Sequence, residues 1–311
     1  MSRLQYYLLL DHVLIQDANA ISSPLTYGFP AITGFLGAIH ALSRKLEVDP
    51  DEEVYLDGVL IACHQCDVKA YRPNGYSDYR FNLTRNSIGK DGKTRSIIEE
   101  GKVDLDVSLI VEVVCTEDAL YGEDVQKGFV EQVLTKLTQQ RIAGGSVFGV
   151  GEVKLIEKSV TTSTEELISD LLPAFVLIDG KDDLQQLTNE LQTKDPDATS
   201  LDVLIETAKL NAIPQDNGLW QTTSIKTGHG WLVPIPLGYQ AISPLFLAGK
   251  VAHTRDNHHA SQFVEAVYGL GKWVFPFDIE DNFEQAFWRY QTATKQSNDA
   301  ELYLISQELN K

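Results

Sequence analysis

The chain has 311 residues, enough for one large domain with insertions or for two, and its 43% hydrophobic and 23% charged content is ordinary for a globular protein. A net charge of −18 excludes a protein whose whole surface grips a polyanion, so any nucleic-acid face must be a local gathering of basic residues. Three cysteines argue against a disulfide framework. With no signal-peptide pattern and no run near the roughly 20 apolar residues of a membrane span, the expectation is a soluble, cytoplasmic protein with no membrane partner.

Leu4 to Ile15 is rich in Leu, Tyr, Val and Ile and reads as a strand. The turn from Asn19 to Pro24 offers small side chains and backbone donors facing outward. Pro30 suits a first helical position, and Ile32, Phe35, Leu36, Ile39, Leu42 and Leu46 mark the buried face of a helix over 31–46. A strand, open turn and helix start suits an anion such as phosphate, although a plain β–α connection has the same pattern. Val54 to Tyr71 reads as strand. Val103 to Cys115 alternates Asp104, Asp106 and Ser108 against Leu105, Val107 and Leu109, a period of two. Glu123 to Gln140 reads as a helix through Val125, Phe129, Val133 and Leu137, and Ser146 to Lys158 as a further strand. The order β-α-β-β-α-β is that of the α+β ferredoxin-like fold, two helices on one face of an antiparallel sheet.

The segment between the second and third strands has its own character. Lys69, Arg72, Arg80, Arg85, Lys90, Lys93 and Arg95 face only Asp78 and Asp91, a local +5 in an acidic chain. Tyr71, Tyr76, Tyr79 and Phe81 are interleaved with them. Cations that follow a backbone beside rings that stack on bases suit single-stranded nucleic acid, while a solvated hairpin with tyrosines packed on the sheet is the plainer reading. Thr161 to Ala208 is strongly acidic, with a strand at Ala174 to Ile178 and an amphipathic helix around Leu184, Leu187 and Leu191. It reads as a solvated or partner-facing stretch. Beyond Gly218, the prolines and glycines of Thr227 to Phe246 predict short strands and turns. His253 to Asp256 reads as loop, Ala260 to Tyr268 as a short helix, and the residues after Ser297 as a terminal helix.

Catalytic and metal signals are thin. Cys63 and Cys66 have half the spacing of a zinc site, but the pair lies in a predicted strand and reads as buried cysteines. His253, His258 and His259 with Asp256 lack a second carboxylate group. His12, His40 and the Ser22-Ser23 pair would be the groups of an RNA-cleaving site, yet no spacing brings them together. No phosphate-binding loop, dinucleotide fingerprint or nucleophile elbow is present. No cofactor is expected.

NAISSPLTYGFPAITGFLGAIHAL at Asn19–Leu42, QAISPLFLAGKVAHTRD at Gln240–Asp256 and FVEAVYGLGKW at Phe263–Trp273 resemble one family closely. It is the second-named Csy subunit of type I-F CRISPR surveillance complexes, in the Cas-five branch of the RAMP proteins. The resemblance runs from the first strand to about Trp273 and leaves 161–208 unmatched. It implies an RRM-like core over 1–160 with a thumb at about 69–102, and an acidic insertion and C-terminal extension over 161–311. It also implies a noncatalytic subunit that holds the 5′ handle of the CRISPR RNA and pairs with the large Csy subunit. A neighbouring backbone Csy subunit would be a further partner, and target DNA would be read indirectly through the guide. The basic insertion lies where the thumb should be. Arg141 with Gly144 and Gly145 lies where RAMP proteins have a glycine-rich loop, which can approach an RNA backbone closely.

Residue type and position then nominate the RNA contacts. Arg80, Arg85, Arg95 and Arg141 would meet phosphates, with Gly144 and Gly145 close to the backbone. Asn19, Ser22, Ser23, Gln240 and Ser243 would hydrogen-bond, Tyr79 or Phe81 would stack, and His253 and Arg255 are further candidates. A metal-independent RAMP-type endoribonuclease and a protein-only scaffold are the alternative functions.

Overall fold

The computed structural model describes residues 3–46, 54–85, 88–116, 118–158, 164–254, 256–291 and 302–308. They divide into two compact units, Met1–Leu177 with Val274–Phe287, and Ile178–Trp273 with Trp288–Lys311.

The first unit begins with β1 (Arg3–Asn19), the small hairpin β2 (Ile21–Ser23) and β3 (Thr26–Tyr27), and α1 (Ile32–Ser43). β4 (Val54–Val68) leads into four short strands, β5 (Ala70–Tyr71), β6 (Arg80–Phe81), β7 (Leu83–Arg85) and β8 (Ile97–Glu99), and then to β9 (Lys102–Cys115). α2 (Glu123–Thr138), β10 (Arg141–Ile142), β11 (Gly145–Gly149), β12 (Glu152–Glu157) and α3 (Thr164–Asp170) follow. β13 (Phe175–Asp179) places Phe175 and Val176 against Cys63 and Ala62 of β4. β9 pairs antiparallel with β1 on one side and β4 on the other, and β11 and β12 take the outer edge of β1. The unit is mixed α/β on an antiparallel sheet. α1 packs against β4 and β10, and α2 against β11 and β12.

β9 carries the core because its sequence changes halfway. Val103, Leu105 and Val107 alternate with more exposed polar residues, and every residue from Val107 to Val113 is then buried. That second half is a strand covered on both faces. α1 buries Ile32, Phe35, Leu36, Ile39 and Leu42, as its spacing predicts. Each such side chain contributes on the order of 1.5–3 kcal/mol relative to exposure. The helix is shorter than expected at both ends. Ala31 keeps extended angles as N-cap, so Pro30 precedes the helix rather than opening it, and Leu46 lies beyond its end. In α2 only Phe129, Val133 and Leu137 of the expected face are buried, and Val125 is exposed. The single strand expected over Ser146 to Lys158 is two strands. A bulge in β1 at residues 11 and 12 breaks it, because Gly151 N–H turns aside to donate to the Asp11 and His12 carbonyls at 2.9 and 3.2 Å.

The second unit contains α4 (Lys181–Gln192), α5 (Ser200–Ala208), the hairpin β14 (Asn211–Pro214) and β15 (Trp220–Thr223), and a sheet of β16 (Trp231–Ala241), β17 (Val264–Val274), β18 (Arg289–Tyr290) and β19 (Leu302–Ser306). Leu187, Val203, Leu204, Leu232 and Leu270 form its core. Three expectations fail in this unit. The Pro- and Gly-rich run holds one eleven-residue strand, β16. β19 pairs with it only at Gly238–Gln240, so the missing N–H groups of Pro234 and Pro236 fall outside that stretch. The apolar residues of Val264–Tyr268, read as helical, belong to β17, because pairing along the whole of β16 outweighs their local spacing. Where a terminal helix is expected, the described residues hold strand β19 at Leu302–Ser306.

A capping box starts α5. Thr199 Oγ1 accepts from the Asp202 amide at 3.4 Å, and the Asp202 carboxylate accepts from Thr199 N–H at 2.8 Å and from its hydroxyl at 2.6 Å. The hydroxyl and the backbone N–H hold the Asp202 carboxyl below its ordinary value. A depressed carboxylate supports the fold above its unfolded-state value, and that support is lost as pH falls through the folded one. Thr199→Ala is expected to destabilise the protein by about 1 kcal/mol at neutral pH, measured by denaturant unfolding, with a smaller deficit in acid.

Candidate nucleic-acid interface

At the end of β1, Asn19 N–H donates to the Ala143 carbonyl at 2.9 Å. Ala143 and Gly144 adopt left-handed angles, φ 49° and 83°. A Cβ at Gly145 would lie 2.6–2.7 Å from Ile15, the Ala18 nitrogen and the Gln16 carbonyl oxygen. On the other side of the loop, a Cβ at Gly34 of α1 would meet the Ala143 Cα at 3.0 Å. The glycine-rich loop therefore lies flush between the end of β1 and the first turn of α1, with Arg141 exposed at its entrance.

The neighbouring hairpin departs from expectation. Its amides do not face outward as a row of free donors. Ala20 N–H donates to the Gly101 carbonyl at 3.0 Å, and Ile21 N–H to Asn19 Oδ1 at 3.3 Å. Ser23 is buried and accepts from Leu25 and Thr26 N–H, each at 3.1 Å, while both Ser22 and Ser23 hydroxyls lie 2.7 Å from Thr26 Oγ1. These serines pin the hairpin. His12, weighed with these serines as a cleavage group, has its Nδ1 2.9 Å from Asp106. His40 is exposed on α1.

The hairpin meets the root of the basic insertion. A Cβ at Gly101 would lie 2.6 Å from Ile21 and 3.4 Å from the Phe81 ring, and Tyr27 meets Phe81 edge-on at 5.6 Å. Tyr27 is largely exposed, and its place beside Phe81 was not foreseen in the sequence. Asn19, Gly144, Gly145 and the hairpin thus share one end of the sheet, with Phe81 joining them from the insertion.

Not all seven cations are open. Lys69 bonds Asp17 at 2.7 Å and Asp104 at 2.9 Å, which ties the insertion to the sheet and raises the lysine's pKa. Arg72 donates to the Ser77 carbonyl at 2.7 Å and to that of Gly75, and lies 5.5 Å from the centre of the Tyr79 ring. Arg95 folds over Gly89 beside Asp91. Arg80, Arg85, Lys90 and Lys93 are exposed, and none has a carboxylate in ion-pair contact among the described residues. Tyr76 stands wholly in solvent and Tyr79 is 71% exposed, so neither ring is packed on the sheet.

In the second unit, Gln240 is exposed near the end of β16. Ser243 Oγ accepts from Phe263 N–H at 2.9 Å, which braces the following loop. His253 is exposed at φ 61°, and Arg255 lies outside the described residues. The cysteine expectation needs correction: Cys63 is half-buried and Cys66 exposed, so they are not a buried pair. Local desolvation still pushes their thiols up to about 12 and about 11, with Cys66 and Asp106 adding to the first and Asp67 to the second. His259 Nδ1 lies 2.6 Å from Asp256, but no three-residue metal group forms there among the described residues. No helix among them is long and apolar enough to cross a membrane.

The family model "CRISPR-associated protein (Cas_Csy2)" matches residues 8–305. The chain is 39% identical over 295 residues to the CRISPR-associated protein Csy2 of Pseudomonas aeruginosa (strain UCBPP-PA14), covering 88% of each chain. With the Asn19–Leu42 block that first suggested it, this match places the chain in the Csy2 family of CRISPR-associated proteins.

Proposed function

We propose that this protein is the noncatalytic subunit of a type I-F CRISPR surveillance complex that holds the 5′ handle of the guide RNA and pairs with the large Csy subunit. In this reading residues 1–160 are a ferredoxin-like, RRM-like RNA-binding core. The antiparallel order β11/β12, β1, β9, β4, with two helices between the strands, supports it. The basic insertion is its thumb, and a neighbouring backbone Csy subunit and the guide-paired target DNA are further partners.

One observation carries the reading. A chain of net charge −18 keeps Arg80, Arg85, Lys90 and Lys93 exposed and, among the described residues, free of ion pairs, beside the exposed rings of Tyr76 and Tyr79. Unneutralised cations beside exposed rings match the demands of single-stranded RNA, with charge for the backbone and a π-face for each base. Arg141 with the flush glycine loop is assigned to the RNA as well, and Gln240, His253 and Arg255 are assigned to it by residue type. Co-expression with the large Csy subunit and a CRISPR RNA tests this. The expected result is a stable complex that retains handle-containing RNA and loses a handle-scrambled one. Recovery of the same complex with either RNA would overturn handle recognition. Release of cut RNA by the chain alone would favour the nuclease.

Tyr76→Ala separates the thumb's two roles. Its ring buries nothing, so the melting temperature is expected to stay unchanged, while RNA affinity falls by about 1–3 kcal/mol if the ring stacks on a base. Fluorescence anisotropy with a handle oligonucleotide reads the difference.

A further inference from the structure

A second polar cluster lies on the first unit's sheet, made of Asp11 and His12 on β1, Asp106 and Ser108 on β9, and His64 on β4. β9 lies between the other two strands. Consecutive strand residues normally point to opposite faces, yet Asp11 and His12 both reach this cluster. The reason is the β1 bulge, where the register shifts between Leu10 and Val13 and His12 takes φ 45°. A second shift, between Cys63 and Gln65, falls at His64. Bulges are a means of re-aiming side chains, and here two of them serve one spot.

Hydrogen bonding sets the rings. His12 Nδ1 lies 2.9 Å from both carboxylate oxygens of Asp106, and His64 Nδ1 lies 2.9 Å from the Pro173 carbonyl. Both partners are acceptors, so each Nδ1 carries hydrogen, and in the neutral ring each Nε2 then keeps a lone pair. An imidazole whose other nitrogen is held by a carboxylate or carbonyl is the usual support of a metal-binding histidine. His64 Nε2 lies 2.7 Å from Ser108 Oγ, which is also 2.8 Å from Asp11 Oδ1. Ser108 already accepts from His12 N–H at 3.0 Å and has a single hydrogen to give. Two acceptors, Asp11 and His64, therefore compete for one hydrogen, and a positive ion between them satisfies both.

We propose that Asp11, His12 and His64 bind one divalent transition-metal cation of the zinc class, with Asp106 and the Pro173 carbonyl fixing the rings. One ligand atom from each of the three lies within 4.8 Å of the others. Closing to bonds of about 2.0–2.2 Å requires a contraction of at most about 1.5 Å. The rings are stacked with centroids 4.1 Å and planes 26° apart, so both must rotate toward one another before their in-plane lone pairs converge on one ion. His12 is 41% exposed, which leaves the ion a path from solvent. Two imidazoles and a carboxylate favour zinc or a similar first-row ion over magnesium or calcium.

The full chain, freed of RNA and dialysed against chelator, would be titrated with Zn²⁺ by calorimetry and with Co²⁺ by visible absorption. One equivalent is expected, with a cobalt d–d band. His64→Gln and Asp11→Asn should abolish both signals, and Asp106→Asn should weaken binding about 10–100-fold by releasing the His12 ring. His258→Gln, on an exposed loop, should change neither. Absence of binding in the native chain would overturn the proposal, as when a proton rather than a metal supplies the missing charge. So would one-equivalent binding that survives both ligand variants. If those variants fail to fold by circular dichroism, Asp106→Asn carries the test alone, and an unchanged affinity in it refutes the site.

Discussion

Charge reversal of the basic insertion, Arg80→Glu with Arg85→Glu and Arg95→Glu, is expected to lower affinity for handle RNA by at least about 100-fold. Each lost charge-assisted contact is worth on the order of 1.5–3 kcal/mol, and three together exceed that factor comfortably. Salt dependence gives a sharper reading than affinity. Each phosphate contact on a single strand contributes about −0.7 to the slope of log K against log salt, so the triple variant should flatten it by about 2. The three side chains are exposed on short strands and loops, so the melting temperature should hold. Retained affinity and slope would leave the protein-only scaffold as the better account, since that function does not need these cations.

Gly145→Ala is expected to act through packing. A Cβ there falls 2.6–2.7 Å from Ile15, the Ala18 nitrogen and the Gln16 oxygen, and two of those atoms are backbone of β1 that cannot swing aside. The loop from Arg141 to Gly145 must therefore lift away from the end of β1. Forcing such an atom into a packed site costs about 1–3 kcal/mol, which lowers the melting temperature by about 3–10 °C. RNA retention should fall further than stability accounts for, because Arg141 and Gly144 move with the loop. Gly149→Ala is the control: its added Cβ would meet only Leu14 at 3.5 Å, an ordinary contact, so little change is expected. Differential scanning fluorimetry beside RNA pull-down distinguishes the two. Equal behaviour of the variants would show that the flush loop plays no part.

The amino-acid sequence by itself determined whatever depends on near neighbours. α1 follows from apolar residues three and four apart, and they are the residues it buries. The first half of β9 follows from its alternation, and the basic character of the insertion from a charge balance opposite to that of the whole chain. The Asn19–Leu42 block, with Gln240–Asp256 and Phe263–Trp273, indicated the family.

Tertiary structure decided what depends on distant partners. Val264–Tyr268 has helix-like spacing but is a strand, because β16 lies along it, and β16 runs through two prolines because one side of that stretch needs no donor. Ser22 and Ser23 also pin the hairpin, which no local pattern announced, since Thr26 stands within reach only after the chain turns. The Asp11, His12 and His64 group was unreadable for the same reason. Asp11 and His12 are adjacent in sequence and should diverge, and a bulge turns them together toward a histidine more than fifty positions away. Local spacing records which face a residue prefers, whereas strand register, set by pairing across the chain, decides what that face meets.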